Sequence, residues 1–339
     1  MPVDKVTSTD VAKRAGVSQS AVSRVFTPGG SASKKTIEKV KKAAEELGYR
    51  PNVLARAMVS GKSRVIGLVV AYLNNQFYPQ ALEKLSNQLQ EQGYHVLIFM
   101  ANNTDSVIEE VIEEILDYQV DGIIAASVDL SSELAARCRS VGVPIVLFNR
   151  SQQSDDLSSV TSDNFSGGFT AAEFLIAGEH KKISYIAGLA STSTQRDREI
   201  GFRAGLQQAG MELHSRGEGL FDMEKAREAT REMFKTDPPD ALFVANDHMA
   251  LAVMDTLRFE LGLRVPEDVS VVSYDDVPAS SWPSYNLTTL AQRADIMVSE
   301  TVRILLQQIS HENDGAQKVA IGSPLVIRGS ARIPKGWKS

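Results

Sequence analysis

The sequence predicts a small all-α domain at the N-terminus followed by a larger α/β body. Two short helical patterns open the chain in STDVAKRAGVSQSAVSRVF, and a third follows them. From residue 65 onward, uninterrupted Val- and Ile-rich runs alternate with amphipathic helices, as in parallel sheets that are buried on both faces. Residues 1–64 carry 13 Lys and Arg against 5 Asp and Glu, a net charge of +8, whereas the remaining residues carry 23 against 37, a net charge of −14. A basic segment on an acidic protein indicates that the segment alone meets a polyanion.

The composition is that of a globular protein with two or three domains. Of its 339 residues, 43% are hydrophobic and 23% are charged. No uncharged apolar run is long enough for a membrane span, and the N-terminus has no apolar signal segment. The single cysteine, Cys138, fits a reducing compartment, and we expect it to be a small apolar helix residue. We therefore expect a cytoplasmic protein with no membrane partner.

The first two helical patterns share an apolar face. Val11, Ala12 and Ala15 fall on one side of the first helix, for which Ser8 or Thr9 is the expected N-cap. Gly16 then suits a left-handed turn. In the second helix, which Ser18 caps, the inward positions are Val22 and Val25.

The third helix is predicted over Lys34–Leu47, with Ser33 as its N-cap and Gly48 at its end. Its apolar stripe is Ile37, Val40, Ala44 and Leu47. Three short helices around one small core predict a helix-turn-helix DNA-binding head at residues 1–50, with the second helix in the major groove.

Several polar side chains of this head face outward in a pattern suited to DNA. Gln19, Ser20 and Arg24 lie near the start of the second helix, where Gln can pair with adenine and Arg with guanine. The alternative is a solvated polar face on a generic three-helix domain. The side chains better placed for phosphates are Thr7, Ser23, Lys34 and Lys35, and Ser18 is a further candidate DNA contact.

The segments VTSTDVAKRAGVSQSAVSRVF and SKKTIEKVKKAAEELGYRPNVLARAM resemble the N-terminus of the lac repressor / galactose repressor family of bacterial transcriptional regulators. The match extends from Val6 to about Gly67. The resemblance implies that Gln19 and Ser20 choose between operators and that Arg24 contacts a base. The loop Thr27-Pro28-Gly29-Gly30 departs from the pattern, because it lacks the bulky or basic residue that some members have there.

Residues 51–63 are predicted to form a hinge helix and linker. Pro51 ends the third helix, and a helix of about two turns can follow, although a plain linker is the alternative for so short a segment. The resemblance implies that this hinge folds on DNA, pairs with its dimer mate in the minor groove, and wedges an apolar side chain into a base step. The aligned wedge is Met58, where better-known members have leucine. The candidate DNA contacts of the hinge are Asn52, Ala55, Arg56 and Met58.

The body, residues 64–339, resembles periplasmic sugar-binding proteins. We expect two similar lobes, roughly 64–163 and 164–290, with the C-terminal segment crossing between them and a ligand cleft at the carboxyl ends of the strands. The predicted strands are Val65–Ala71, Val96–Ala101, Gly122–Ala126, Pro144–Phe148, Ile183–Gly188, Ala241–Ala245 and Val269–Tyr274.

No motif for catalysis is recognisable in the sequence. GLASTSTQRDREIGF has neither dinucleotide nor P-loop spacing, and the five histidines have no metal-ligand spacing. We therefore expect no enzyme activity, no cofactor and no metal.

Polar residues at the strand ends predict a binding cleft instead. We expect Asn149, Arg198, Asn246 and Asp275 to converge there, while Asp247 and Asp276 are expected to be ordinary helix caps. Amide, guanidinium and carboxylate groups suit the vicinal hydroxyls of a sugar, and aromatic side chains supply apolar walls. The full set of candidate ligand contacts is Phe77, Tyr78, Asn149, Thr192, Thr194, Arg198, Phe221, Asn246, Asp275 and Trp282.

The resemblance implies that these positions contact an effector. Thr192 aligns with an arginine of the purine-binding member, which favours a mono- or disaccharide, although Thr194 and Phe221 leave a purine open. The chain ends without leucine heptads, so we expect a homodimer that reads a palindromic operator. We expect a repressor that a sugar releases from DNA. The alternatives are a regulator whose ligand is a corepressor, and a transport-type solute-binding protein, which the head and the absence of a signal segment disfavour.

Overall fold

The computed structural model divides the chain into two compact units. The first comprises Met1–Val65 with Gln119–Asp121, and the second comprises Ile66–Tyr118 with Gly122–Ser339. The structure describes residues 6–26, 30–50, 63–101, 105–128, 130–152, 156–313 and 315–337. In this part of the chain, no helix is both long and apolar enough to cross a membrane.

The first unit contains the three helices that the sequence predicts. They are α1 (Ser8–Ala15), α2 (Gln19–Phe26) and α3 (Lys34–Leu47). Their apolar faces meet in one small core because none of the three can bury its face alone. The buried members of this core are Val11, Ala12, Val22, Val40, Ala43 and Ala44.

Most predicted helix ends are confirmed. The Ser18 hydroxyl accepts the Ala21 N–H at 3.2 Å, and the Ser33 hydroxyl accepts the Thr36 N–H at 3.2 Å. Gly16 follows α1 with φ of 64°, a left-handed conformation that costs a glycine little. This turn brings α2 across α1 after only three residues.

The predicted N-cap of α1 is wrong, because the cap is Thr7 rather than Ser8 or Thr9. Asp10 lies three residues after Thr7, and the two residues form a reciprocal capping box. The Asp10 carboxylate accepts the Thr7 N–H at 2.9 Å, while the Thr7 hydroxyl accepts the Asp10 N–H at 3.4 Å. Hydrogen bonds from Thr7 lower the pKa of Asp10. Neither Ser8 nor Thr9 has an acidic residue three positions later, so neither can form this pair.

Eight further α-helices lie in the described residues of the second unit. They are α4 (Phe77–Glu91), α5 (Asp105–Asp117), α6 (Ser132–Ser140), α7 (Asn164–Ala177), α8 (Ser193–Gln208), α9 (Met223–Met233), α10 (Asp247–Asp255) and α11 (Ala294–Ile309).

The strands form two six-stranded sheets. They are β1 (Val65–Val70), β2 (His95–Met100), β3 (Gly122–Ala126), β4 (Ile145–Phe148), β5 (Ser158–Ser162), β6 (Ile183–Ala187), β7 (Arg216–Glu218), β8 (Ala241–Val244), β9 (Ser270–Asp275), β10 (Thr288–Ala291), β11 (Lys318–Ile321) and β12 (Leu325–Val326). All seven strands predicted from the sequence are confirmed within a residue or two.

The two sheets have the same strand order. The first runs β11-β5-β4-β3-β1-β2, and the second runs β12-β10-β9-β8-β6-β7. Among the described strand pairings, that of β10 with β12 is antiparallel and the others are parallel. We call the part built on the first sheet the first lobe and the part built on the second sheet the second lobe. The carboxyl ends of parallel strands meet at one edge of each sheet, where ligands of such folds bind.

The chain passes between the lobes three times. It leaves the first sheet after Ser162, returns after β10 through α11 to form β11, and crosses again to form β12.

One apolar core extends through both lobes. In the second lobe, the rings of Tyr185, Phe202 and Phe243 pack together, with 4.8 Å between the centroids of Phe202 and Phe243. Cys138 is buried in α6, which confirms the prediction that it is an apolar helix residue. Burial raises the pKa of its thiol to about 11.

Helices α7 and α8 cross at backbone contact. A Cβ on Gly168 would lie 2.1 Å from the Arg198 carbonyl oxygen, and a Cβ on Gly201 would lie 2.0 Å from that of Phe165. Only glycine permits this approach. The crossing therefore determines where Arg198 emerges from α8.

Candidate functional site

The start of α2 presents a polar exposed surface. Gln19, Ser20 and Arg24 are exposed, as their positions in the sequence predict. Val22 on the opposite side is 1% exposed and anchors the helix in the core of the first unit. Side chains at the N-terminal end of such a helix are those that reach base edges in helix-turn-helix proteins.

Local hydrogen bonds hold these side chains in place. Gln19 Nε2 donates to Ser8 Oγ at 3.0 Å, and Arg24 Nε donates to the Ser20 carbonyl at 3.3 Å. The hydroxyls of Ser18 and Ser20 lie 2.9 Å apart. Each of these bonds is exposed and exchangeable with water or a base edge.

The other predicted DNA contacts of the head are also at its surface. Thr7, Ser18, Ser23, Lys34 and Lys35 are exposed. The loop residues 27–29 and the predicted hinge contacts lie outside the described residues. Those hinge contacts are Asn52, Ala55, Arg56 and Met58.

A cleft lies between the two lobes at the carboxyl ends of their strands. About 380 Å³ in the cleft, including part of its open mouth, is not filled by protein atoms. The residues that line the cleft are Tyr72, Asn74, Asn75, Tyr78, Ser127, Asn149, Arg150, Thr194, Arg198, Phe221, Asn246 and Asp275.

Four of the lining residues have an uncommon backbone conformation. The φ angles of Ser127, Asn149, Phe221 and Asp275 are 62°, 58°, 59° and 128°. Ser127 and Asn149 directly follow a strand, Asp275 ends one, and Phe221 lies three residues after β7. A positive φ costs a residue with a side chain about 1–3 kcal/mol, and residues with this conformation cluster at functional sites. We therefore attribute the backbone conformation at these four positions to the cleft rather than to the connection of one element to the next.

Arg198 and Asp275 form a buried ion pair on the second-lobe wall. Their side chains are each 2% exposed, and Arg198 Nη2 lies 3.4 Å from Asp275 Oδ1. Arg198 also donates to the Ala245 carbonyl at 2.6 Å and to Asn164 Oδ1 at 2.8 Å. Its guanidinium carbon lies 3.7 Å from the centre of the Tyr274 ring. Burial raises the pKa of Asp275, and the adjacent Arg198 opposes that shift.

The same pair is connected to the crossovers between the lobes. Gln292, just after β10, donates to Asp275 Oδ1 at 2.7 Å and accepts from the Ser162 hydroxyl at 2.9 Å. Asn164, just after the first crossover, accepts from Arg198. A ligand that moves Arg198 or Asp275 therefore acts directly on the segments that join the lobes.

Hydrogen bonds that involve side chains join the two lobes across the cleft. Arg150 Nη1 donates to Thr194 Oγ1 at 2.5 Å, and Asn75 Nδ2 donates to Asp275 Oδ2 at 3.3 Å. In addition, the Ser151 N–H donates to the Ser193 hydroxyl at 3.0 Å. The relative position of the lobes thus depends on groups that a ligand would contact.

Three buried polar atoms of the cleft lack a hydrogen-bond partner. They are Ser127 Oγ, Asn149 Oδ1 and Arg150 Nε, all on the first-lobe wall. The amide nitrogen of Asn149 is occupied, since it donates to the Tyr78 hydroxyl at 3.0 Å. Unsatisfied buried polar atoms are uncommon in folded proteins, and their concentration here indicates a site for a polar ligand.

The structure brings seven of the ten predicted ligand contacts to the cleft. They include Asn149, Arg198, Asn246 and Asp275, which the sequence expects to converge. The other three are Tyr78, Thr194 and Phe221.

Three predicted contacts do not line the cleft. Phe77 is 3% exposed and stacks on Phe148 in the first-lobe core, because its position on α4 faces the sheet. Thr192 precedes α8 and turns its hydroxyl to the Leu189 carbonyl at 2.8 Å. Trp282 is 52% exposed after a short 3₁₀ turn.

The predicted capping roles of Asp247 and Asp276 are wrong. Asn246 caps α10, because its side chain accepts the Met249 N–H at 3.1 Å, so Asp247 lies one position inside the helix. Asp247 is fully buried and accepts the hydroxyls of Ser280 at 2.6 Å and Thr289 at 2.7 Å. Burial, reinforced by the charge of Asp275, raises the pKa of Asp247 to about 7.

Asp276 forms an ion pair instead of a cap. Its Oδ1 lies 2.6 Å from Arg328 Nη2. The residue has φ of 59° and is followed by the extended Val277, so no helix begins where it could cap.

Sequence reasoning missed five lining residues. Asn74 and Asn75 follow β1 in a polar stretch, and a search for polar residues after every strand would have found them. Ser127 and Arg150 also follow strands, but their significance comes from burial without partners. Tyr72 completes the set.

Comparison with known proteins agrees with this architecture. A model of bacterial regulatory proteins of the lacI family matches residues 7–52. A second model, described as periplasmic binding proteins and the sugar-binding domain of the LacI family, matches residues 63–329. A helix-turn-helix domain followed along the chain by such a body defines a class of DNA-binding transcriptional regulators with a small-molecule effector. The chain belongs to the lacI family of bacterial regulatory proteins.

Its relatives are repressors rather than enzymes. The HTH-type transcriptional repressor PurR of Haemophilus influenzae (strain PittEE) is 31% identical over 336 residues, which cover 95% of this chain and 98% of the relative. PurR of Vibrio vulnificus is 30% identical over 330 residues, with the same coverage of 95% and 98%.

Two solved structures are similar over nearly the whole chain. The lac repressor dimer bound to operator and the anti-inducer ONPF has a TM-score of 0.87 at 29% identity, covering 96% of this chain and 99% of that one. The transcriptional regulator CelR in complex with cellobiose has a TM-score of 0.72 at 31% identity, covering 96% and 100%.

Proposed function

We propose that this protein is a homodimeric transcriptional repressor that binds a palindromic operator and releases it when a small polyhydroxylated ligand occupies the cleft. The observation that carries the proposal is the set of unpartnered buried atoms on Ser127, Asn149 and Arg150. Burying polar groups without hydrogen bonds is costly, and a ligand that supplies the missing partners removes that cost.

In this proposal the head reads the operator through α2. Gln19 and Arg24 make the base contacts, and Ser20 contributes at the same groove. Thr7, Ser18 and Ser23 contact phosphates, which position the helix without specifying sequence. The exposure of these side chains and the operator-bound structure of the similar lac repressor support this assignment.

The experiment that tests the head is an operator-selection assay with Arg24→Ala. Duplexes that bind the wild-type protein are selected from a random pool, and their relative affinities are measured for both proteins. We expect the variant to lose about 1–3 kcal/mol of discrimination at one base pair of each half-site. Lys42→Ala, which removes an exposed cation of α3, is the matched control and should change all affinities alike. An unchanged ranking of duplexes with Arg24→Ala would contradict the assignment of α2.

The proposed hinge contacts rest on the family resemblance. Asn52, Ala55 and Arg56 contact the DNA, and Met58 wedges into a base step of the minor groove. Met58→Gly is expected to weaken specific DNA binding and to leave effector affinity unchanged. An equal loss of both affinities would contradict the wedge.

The lining of the cleft favours a sugar as the ligand. Arg198, Asp275 and Asn246 combine donors and acceptors in the way that vicinal hydroxyls require, and Tyr78 and Phe221 supply apolar faces. The sugar-binding description of the matching family model and the cellobiose complex of CelR support the same class.

A purine is the second candidate ligand. The relatives with 30–31% identity are named HTH-type transcriptional repressor PurR, and the Phe221 ring can stack on a planar base such as a purine. The sequence argument against a purine rested on Thr192, which does not line the cleft. Calorimetric titration with purine bases and monosaccharides separates the two classes.

Binding in the cleft is proposed to act through the relative position of the lobes. The cross-lobe bonds of Arg150 to Thr194 and of Asn75 to Asp275 are those that a ligand would replace. The effect on DNA affinity equals the ligand's preference for one arrangement of the lobes. A ligand that prefers the DNA-binding arrangement would be a corepressor instead, which is the alternative to release.

The dimer is proposed because a palindrome requires two heads related by a two-fold axis. Edge strand β2 exposes Ile98 and Met100 by 54% and 51%, an apolar surface that a second copy would cover. We expect sedimentation velocity to give twice the chain mass, and Ile98→Lys to weaken association.

The proposed location of the protein is the cytoplasm. This location fits operator DNA as the partner, and it fits the single cysteine, Cys138, which is a buried free thiol.

A further inference from the structure

The cleft is lined by two arginines but by a single aspartate, so one positive charge has no negative partner among the lining residues. Its charged lining residues are Arg150, Arg198 and Asp275. Asp275 is committed to Arg198, at 3.4 Å, and to the amides of Gln292 and Asn75. In the part of the chain that the structure describes, no carboxylate pairs with Arg150.

Arg150 is buried despite this lack of a counter-ion. The residue is 2% exposed. Its Nη1 donates to Thr194 Oγ1 at 2.5 Å and weakly to the Asn149 carbonyl at 3.5 Å, and its Nε has no partner. A buried guanidinium with only neutral acceptors is unfavourable, because burial removes hydration that a neutral hydroxyl does not replace.

A second group with positive character lies beside Arg150. Thr194, the partner of Arg150, is the second residue of the 16-residue helix α8. No side chain caps this helix, because the Thr192 hydroxyl is directed to the Leu189 carbonyl. An uncapped helix N-terminus favours negative charge through its free N–H groups and the helix dipole.

We propose that the effector carries an anionic group, a phosphate monoester or a carboxylate, and that Arg150 binds this group at the N-terminus of α8. The guanidinium Nε supplies a charge-assisted hydrogen bond, and the Ser127 hydroxyl on the same wall supplies a further donor. The polyol part of the ligand then lies against Arg198, Asn246 and Asp275. This inference rests on the proposed function, since it names the chemistry of the ligand in the same cleft.

The test compares neutral and anionic forms of one sugar. Hexoses, their phosphate monoesters and the corresponding sugar acids are titrated calorimetrically into the full-length protein at constant ionic strength. We expect one anionic form to bind at least about tenfold more tightly than its neutral parent. A preference for the monoester identifies phosphate as the anion, and a preference for the acid identifies carboxylate. Equal affinity for neutral and anionic forms overturns the inference.

Arg150→Gln removes the charge and keeps a polar side chain of similar reach. It is expected to reduce affinity for the anionic ligand at least about tenfold more than it reduces affinity for the neutral parent. Arg196→Gln, an exposed cation on the same helix, is the matched control and should change neither affinity. An anionic ligand that binds Arg150→Gln as tightly as it binds the wild-type protein overturns the inference.

Inorganic phosphate provides a probe that does not depend on knowing the sugar. At ionic strength matched with chloride, phosphate should raise the melting temperature of the wild-type protein and of Arg196→Gln, but not that of Arg150→Gln. Two results with phosphate count against the inference: an unchanged melting temperature of the wild-type protein, or an equal rise in all three proteins. Either result overturns the inference if, in addition, no sugar binds more tightly in its anionic form.

The operator assay distinguishes this inference from the proposed function. If the anionic ligand binds through Arg150 but does not change DNA affinity, the inference holds and the proposed regulation is wrong. If a neutral sugar alone releases DNA, the proposed regulation holds and the anionic group is wrong.

Discussion

Asp275→Asn is expected to destabilise the second unit strongly. The substitution keeps the shape of the side chain but removes the only carboxylate among the residues that line the cleft. The substitution leaves Arg198 buried, at 2% exposure, without a counter-ion. It also places the new amide nitrogen near the side-chain amide of Gln292 or Asn75, each of which donates to the carboxylate in the wild-type protein.

The magnitude follows from what remains around Arg198. Removing one partner of a buried ion pair costs about 3–5 kcal/mol. Arg198 keeps its bonds to the Ala245 carbonyl and Asn164 and its contact with the Tyr274 ring, which offset part of the loss. We therefore expect a decrease of about 3 kcal/mol in the free energy of unfolding.

Urea denaturation of the full-length protein at pH 7.5, followed by far-UV circular dichroism, measures this decrease. The double variant with Arg198→Met removes both charges and should recover much of the stability, because no buried charge is then left unpaired. A decrease below 1 kcal/mol for Asp275→Asn, or a double variant less stable than both single variants, would refute the reasoning.

Three further variants test other parts of the structure. Thr7→Ala removes the cap of α1 and should lower the free energy of opening of that helix by about 1 kcal/mol, measured as faster amide hydrogen exchange. An unchanged exchange rate would contradict the capping box. Gly168→Ala places a Cβ 2.1 Å from the Arg198 carbonyl oxygen and should cost about 1–3 kcal/mol in urea denaturation while weakening effector binding. Burial raises the pKa of Asp247 from 3.8 to about 7, so the folded protein retains a proton that the unfolded chain has lost. Its contribution to stability should fall by up to about 1.4 kcal/mol per pH unit as pH rises from 4 to 7. Asp247→Asn should reduce the measured slope, to which the buried Asp275 also contributes, and an unchanged slope would contradict the assignment.

The sequence predicts the helices of the head and the central strands well for a physical reason. Apolar periodicity and caps such as Ser18 and Ser33 act over a few residues, so they are visible without the fold. The five strands that the sequence reasoning missed are short or polar. β5 reads SSVTS, β7 has three residues and β10 has four, while β11 and β12 pair with β5 and β10, which are distant in the chain.

The cleft is predictable in outline but not in its energetics. Asn149, Asn246 and Asp275 are recognisable because each follows a buried strand. The capping role of Asp247 is predicted wrongly because Asn246, one residue earlier, takes the cap. The importance of Arg150 is a property of burial and missing partners, and neither can be read from a local stretch of sequence.

The most direct test of the account is an anisotropy titration with operator DNA. A labelled duplex from immediately upstream of this gene is bound by the full-length protein, and neutral sugars, sugar phosphates, sugar acids and purine bases are then added. The account predicts that one polyhydroxylated ligand releases the duplex from the wild-type protein and fails to release it from Asp275→Asn. Tighter binding on addition of the ligand would make that ligand a corepressor. Release that is equal in both proteins would contradict the claim that the cleft controls DNA binding.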